Sequence, residues 1–363
     1  MTMPLVRSTP TGGAIRSILV IQTKYIGDVV LSSALTIGLR RAFPGARVDM
    51  VCESHLADFV HDNGIADGTI GVERAKARGS IPERLTVRLK LLRQVRAGGY
   101  DLSIDIADST TSQLAQWAVG APVRVSYDPP EKRSVLSIFG RPWTHPCPRF
   151  GTGKHYVDRY LAPLTVLGMD AGGLSPRLTP SPARQAEADA LLAAEGLEPG
   201  GFVAVHAGAR TEPRRWPPER FAAVLAEAAR RHGLEVALVG GPDERGLSQA
   251  VADGCGGTVL AGRLPLAALP ALMSRAGLFV GNESGPMHIA AAVGVPVVGL
   301  FGLTDPAVWG PVSERAAAIR PPMPCACVRP GVCVPHDTNK AWCVTRIGEA
   351  EVAGAIDRVL GKS

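Results

Sequence analysis

No stretch of this 363-residue sequence carries eighteen uncharged apolar residues in a row, and the opening segment, MTMPLVRSTPTGGAIRS, lacks the apolar core of a secretory signal. A spanning helix and a secreted product are therefore not expected, and the reading is of a cytoplasmic protein. Neither half contains G-x-G-x-x-G with a distal acid, which disfavours a dehydrogenase. No nucleic-acid-binding module is recognisable, so nucleic acid is not an expected partner. No short-period repeat points to a solenoid. Charge is also sparse: 20% of residues are charged, the net charge is +6 and the pI is near 9.1. So mild a balance fits an anionic substrate or an anionic membrane surface as well as nucleic acid, and its sign alone decides nothing.

What the sequence does have is apolar material, 46% of residues, in a chain long enough for two cores at about 150–180 residues each. Short apolar runs alternate with helical patterns from end to end. SILVIQ, DVVLSSALTIGLRRAF and ARVDMVCE make a strand, a helix and a strand, and YDLSIDIA adds another strand. The alternation recurs from FVAVHAG to VPVVGLFG, with short β-branched strands suited to a parallel sheet covered on both faces. Between the halves, MDAGGLSPRLTPSPAR gathers Gly, Pro and Ser without periodicity. The expected fold is α/β: one domain over 1–168, a linker over 169–184, a second domain over 185–345, and a final helix over 346–363 packing back on the first. Residues 74–96 hold eight Lys or Arg, and LTVRLKLLRQVRAGG reads as a basic amphipathic helix. It is either a solvated outer face or a surface for phosphorylated acceptors or anionic lipid.

In open α/β sheets ligands sit beyond the carboxyl ends of the strands. The loop GNESGPMHIAAAVG places Ser284 as N-cap and Pro286 in the first helical turn. The N–H groups of Gly285, Met287 and His288 then face an anion such as a diphosphate, helped by the helix dipole. His288 adds a hydrogen bond or charge; an ordinary helix start is the alternative. In HAGARTEPRRWPPERF, Thr211, Arg214 and Arg215 suit phosphate contact, because guanidinium forks match phosphoryl oxygens. Either arginine can instead pair with Glu212, and Trp216 reads as packing. GGPDERG offers Gly240, Gly241 and Asp243 to a base or ribose, or is a plain turn. The first strand is followed by QTKYIGDVVLSSAL, whose turn has one glycine, Gly27, and an acid, Asp28. Asp28 can cap the following helix, and Lys24 can hold that carboxylate or meet an acceptor phosphate.

Of the seven cysteines, Cys325, Cys327, Cys333 and Cys343 fall within nineteen residues as Cys-x-Cys-x5-Cys-x9-Cys, with His336 among them. Four thiolates this close suit a structural Zn²⁺ or iron; reduced thiols are the other reading.

Together, KYIGDVVLSSAL, HAGARTEPRRWPPERF and VGNESGPMHIAAAVGVPVVGLFGLTDPAVWGP resemble glycosyltransferase family 9, the ADP-heptose:lipopolysaccharide heptosyltransferases, over most of the chain. The resemblance implies GT-B architecture: two Rossmann-like domains with parallel sheets facing across a cleft, acceptor on the first and nucleotide-sugar donor on the second. It implies inverting transfer from ADP-heptose to an anionic glycolipid acceptor, with no cofactor required for catalysis and peripheral contact with the inner membrane. The family's general base falls on Asp28 and its basic residue before Trp-Pro on Arg215. Its donor contacts fall on Thr211, Arg214, Gly241, Glu283, Ser284, Gly285, Met287 and His288, and an acceptor contact on Lys24. Glu283 stands where relatives carry Asp, and Gln22 where Arg or Lys is frequent. The alternatives are a family 9 enzyme acting on a natural-product or protein acceptor, a GT-B-like nucleotide-sugar epimerase, and a silent binding module.

Overall fold

The computed structural model describes residues 13–73, 81–128, 140–149, 153–302, 304–321 and 343–361, without side chains at 81–84 and 213. The chain divides after Pro176 into two compact units, inside the stretch expected to be the linker.

The first unit runs β1 (Ser17–Ile21), α1 (Ile26–Ala42), β2 (Arg47–Glu53), α2 (Ala57–Asp62), β3 (Gly68–Val72), α3 (Ile81–Ala97), β4 (Leu102–Asp105), α4 (Thr110–Val119), β5 (Val123–Asp128), β6 (His145–Pro148) and α5 (Tyr156–Val166). Its sheet has the order β3-β2-β1-β4-β5-β6. Every pairing is parallel. Ile18 to Ile21 are fully buried, as β-branched and aliphatic residues are when a strand is covered on both faces. One face packs on α3 and α4 through Leu19, Ile21, Leu91, Val95 and Ala115.

Helices α1 and α5 lie against each other with unusual closeness. A β-carbon on Gly38 would sit 2.4 Å from Leu164 Cδ1, so glycine is what lets the two axes approach. Pro163 lies inside α5 and offers no N–H to the carbonyl four residues before it. That orphaned carbonyl, on Arg159, accepts instead from Tyr127 Oη at 2.6 Å, which fixes the middle of α5 to β5.

The second unit runs α6 (Pro182–Glu195), β7 (Phe202–His206), α7 (Pro218–His232), β8 (Glu235–Leu238), α8 (Arg245–Cys255), β9 (Thr258–Val259), α9 (Leu269–Met273), β10 (Leu278–Asn282), α10 (Gly285–Ala292), β11 (Val297–Leu300), α11 (Pro306–Trp309), β12 (Ala316–Ile319) and α12 (Glu349–Val359). The sheet order is β12-β11-β10-β7-β8-β9, again parallel throughout. Renumbered from its own first strand this is 3-2-1-4-5-6 read backwards, the same winding as the first unit. Each sheet thus reverses direction beside its first strand, at β1/β4 and at β7/β10, where doubly wound sheets bind ligands.

The final helix corrects one expectation. Instead of returning to the first domain, α12 packs on α7, β11 and β12 of its own unit. Val352, Ala355 and Ile356, spaced i, i+3, i+4, are at most 1% exposed and join the core with Phe221 and Leu225 of α7. Burying such aliphatic side chains is worth about 1.5–3 kcal/mol each, whereas the half-exposed Arg231–Asp357 ion pair beside them adds about 0–1 kcal/mol. Apolar packing therefore decides where the helix docks. Trp216 Nε1 and Arg220 Nη1 both donate to the Ile347 carbonyl, tying the entry of α12 to the start of α7.

Candidate active site

In the first unit Asp28 sits in the opening turn of α1 beside the β1/β4 reversal. It does not cap the helix: the N-cap position is Tyr25, which makes no side-chain bond. Its carboxyl is 9% exposed and Oδ1 accepts from Tyr160 Oη at 2.5 Å. Burial lifts its pKa above the ordinary carboxylate value, opposed by the Tyr160 bond and by the charges of Lys24 and Arg159. Lys24 donates from Nζ to Tyr156 Oη at 3.2 Å, so it influences Asp28 through charge while bonded to the adjacent ring.

Across the reversal, the loop after β4 is built around Asp105, which sequence reading passed over. Its Oδ1 accepts from the N–H groups of Ala107 and Asp108, and its Oδ2 from Ser112 Oγ at 2.9 Å. Burial, with Asp108 nearby, pushes Asp105 up to about 7. This cage holds Asp108 at φ 52, a left-handed conformation costing a non-glycine residue about 1–2 kcal/mol. There the Asp108 carboxylate accepts from Arg149 and from Arg159 Nη2. Arg159 also donates to Tyr156 Oη at 2.8 Å and lies 4.7 Å over the Tyr127 ring. One polar cluster thus brings Lys24, Asp28, Asp108, Arg149, Arg159 and Tyr160 together.

In the second unit the β7/β10 reversal is stitched by Asn282, fully buried at the end of β10. Its Nδ2 donates to Ala207 O at 2.7 Å and its Oδ1 accepts from Trp216 N at 3.0 Å, joining three loops. Trp216 itself is 0% exposed, so it packs and does not stack on a ligand. Arg215 then leaves the core with Nε and Nη2 both donating to Ala209 O, which aims the guanidinium while leaving Nη1 outside that pair of bonds. Arg214 lies 3.6 Å from Glu283 Oε1. Burial raises the Glu283 carboxyl above its ordinary value, and Arg214 opposes it. Thr211 is exposed, at the N-cap of the short turn Glu212–Arg214.

Ser284 occupies the N-cap of α10, as expected, but its side chain does not cap. Its Oγ instead bonds Asn282 O at 3.0 Å and meets His206 Nδ1 at 3.0 Å. The other nitrogen, His206 Nε2, meets Glu244 Oε2 at 3.1 Å, and that oxygen also accepts from Gly241 N. Against its burial, the His206 bond and charge hold Glu244 down at about 2. A serine, a histidine and a glutamate therefore form one chain across the ends of β7, β8 and β10. Its closeness requires Gly208, where a β-carbon would fall 1.8 Å from Glu244 Oε1. The sequence reading missed His206, Asn282 and Glu244; a histidine closing a buried strand in FVAVHAG was the available signal.

Met287 is a correction. Its N–H, expected to face an anion, donates to Ser284 O at 3.2 Å, and its side chain is fully buried against the Gly299 backbone. Gly285 heads the helix, and His288, 6% exposed, lies in the first turn. Of the cysteine cluster, Cys325, Cys327 and Cys333, with His336, lie outside the described residues; Cys343 is a buried free thiol. Among the described residues no three His, Cys, Asp or Glu side chains are grouped to hold a metal, and no helix is long and apolar enough to cross a membrane.

Two doubly wound units of one winding, each with polar groups gathered where its sheet reverses, define an enzyme of the GT-B class of glycosyltransferases. The model of "Glycosyltransferase family 9 (heptosyltransferase)" matches residues 88–333, and the chain belongs to that family. It is 30% identical to lipopolysaccharide heptosyltransferase 3 of Escherichia coli K12, over 80% of this chain and 84% of that one. Among solved structures it is similar to a family 9 glycosyl transferase from Veillonella parvula, with TM-score 0.80, 23% identity and 100% of both chains covered. The E. coli ADP-heptose LPS heptosyltransferase II follows the same fold, with TM-score 0.71, 21% identity and coverage of 95% and 99%.

Proposed function

We propose that this enzyme transfers a heptose from ADP-heptose to a phosphorylated lipopolysaccharide-core acceptor, with inversion and without a catalytic metal. The names of the heptosyltransferase relatives support the substrate class, as does a similar E. coli structure described as holding ADP. The observation that carries the mechanism is the buried, ionisable Asp28 at the β1/β4 reversal. Asp28 takes the proton of the acceptor hydroxyl while that oxygen bonds the anomeric carbon. The bond from the anomeric carbon to the diphosphate breaks on the opposite face, and its electron pair leaves on the phosphate oxygen of ADP. Lys24 meets the acceptor.

The leaving charge is received in the second unit. The α10 dipole, the Gly285 N–H, Ser284, His288 and Arg215 stabilise the diphosphate, with Thr211, Arg214 and Gly241 around the donor and Glu283 toward its sugar. A panel of ADP-, UDP- and GDP-sugars tests the donor: ADP-heptose raises the melting temperature, by an amount that grows with its concentration, and the others do not. A UDP- or GDP-sugar giving the larger rise overturns the assignment. A structural metal on the cysteine cluster is a further proposal, and elemental analysis of purified protein decides it.

Peripheral contact with an anionic membrane belongs to the same reading. On α3, Leu91 and Val95 face the core, while Leu85 and Leu89 are 55% and 43% exposed among Arg88, Lys90, Arg93 and Arg96. Apolar side chains ringed by cations suit an anionic lipid surface. The protein is expected to pellet with phosphatidylglycerol vesicles and not with phosphatidylcholine vesicles, and Leu85→Ser with Leu89→Ser to reduce pelleting several-fold. Equal pelleting by the double variant removes α3 from membrane contact.

A further inference from the structure

The charged and titratable groups facing Asp28 are Tyr160 and Arg159 from α5 and Lys24 from the turn before α1. Arg159 and Lys24 act through charge, and both direct hydrogen bonds to Tyr156 Oη. Tyr160 alone among them makes a direct bond, 2.5 Å from Oη to Oδ1, between residues 132 apart in sequence. Its side chain is 0% exposed, and its ring stands edge-on to Tyr156 with centroids 5.3 Å apart. The close approach of α1 and α5 at Gly38 and Leu164, one helical turn from Tyr160, holds it there. Burial and the adjacent carboxylate keep the phenol protonated far above its ordinary range, so the direction of the bond is fixed: Tyr160 donates and Asp28 accepts.

Two consequences follow from that direction. With Oδ1 committed, Oδ2 is the oxygen left to receive a proton. A donor bonded to the ionised form also counteracts the burial that would otherwise leave the carboxyl neutral and useless as a base.

We propose that Tyr160 is a positioning residue for transfer, locking Oδ1 of Asp28, presenting Oδ2 to the acceptor hydroxyl and keeping the carboxylate ionised at the pH of the reaction. The proposal rests on Asp28 being the general base, as in the function proposed above. Since the base must be ionised, the rate falls as pH drops through the Asp28 pKa. Removing the donor raises that pKa. Tyr160→Phe, which keeps the ring, should therefore move the acid limb of the kcat–pH profile up by about one unit, a roughly tenfold loss at a pH below the limb. The KM for the donor should not change.

A tyrosine serving only as packing would shift no limb. 3-Fluorotyrosine placed at position 160 alone keeps the shape and has a more acidic, stronger-donating hydroxyl, so it should move the limb the other way, toward lower pH. That substitution decides the matter by itself if thermal melting shows Tyr160→Phe to be unfolded at the assay temperature. A limb that stays in place overturns the proposal for Tyr160. Running Asp28→Asn in parallel separates the two layers: if that variant is inactive while the limb is unmoved, only Tyr160's role fails; if it is active, the base assignment fails and this proposal with it.

Discussion

Asp28→Asn should abolish transfer, with a loss of at least about 10³ in kcat, while the nucleotide-sugar donor still raises the melting temperature. General-base catalysis contributes about 10²–10⁴, and an amide has no basicity to offer. The amide oxygen can still accept from Tyr160, so the α1–α5 contact should survive. Stability gives an independent check with a defined sign. The pKa of Asp28 is raised in the folded state, so the fold binds this proton more tightly than the unfolded chain does. Ionising Asp28 therefore costs stability, a cost absent well below the unfolded carboxylate pKa and developing as pH rises past it. Asparagine does not carry this cost. The variant should melt no lower than the parent at pH 7–8, and the difference in its favour should shrink toward pH 3. Higher stability with lost turnover is what a site that trades stability for chemistry gives. A clear fall in melting temperature at pH 7–8 would mark Asp28 as structural, and retained transfer would remove it from the mechanism.

Arg215→Ala should lower kcat by about 10²–10³, the usual loss when one preorganised donor to a developing negative charge is removed. The two bonds from its guanidinium to Ala209 O fix its direction before any ligand arrives, so its electrostatic contribution needs no reorganisation at the moment of transfer. Arg215→Lys keeps the charge but has no fork with which to hold both the carbonyl and a phosphate, and should recover part of the loss. Arg214, 3.6 Å from Glu283, is bound up with a carboxylate and should matter less. Single-turnover measurement of ADP release distinguishes these cases. A change within threefold for Arg215→Ala would move the leaving-group role to His288 and the head of α10.

Much of this enzyme is legible in short stretches of its sequence. Apolar β-branched runs become parallel strands because both faces are covered, and the alternation with helices forces right-handed crossovers and hence the doubly wound order. The head of α10 is legible for the same reason: Ser284, Gly285 and Pro286 specify a helix start by local geometry. Even there the local reading goes only so far, since the Met287 N–H closes on Ser284 O and the Ser284 hydroxyl turns to His206.

His206, Glu244 and Asn282 escape the sequence because each does its work by bonding residues dozens of positions away: 78 separate His206 from Ser284, and 66 separate Asn282 from Trp216. The terminal helix was misplaced for a related reason. Its apolar face, Val352 with Ala355 and Ile356, says that it must be buried, but only the open face beside α7, β11 and β12 says where.

By itself, then, the sequence determined the strands, the helices, the division near Pro176 and the acid in a turn where a glycine-rich phosphate loop would otherwise be expected. Those features follow from periodicity and from the conformational preferences of neighbouring residues, which act over a few positions of chain. Only the tertiary structure decided what that acid can do. The basicity of Asp28 depends on how much water is excluded around it and on which oxygen Tyr160 occupies, and both are set by a helix that begins more than 120 residues later and packs close because position 38 has no side chain.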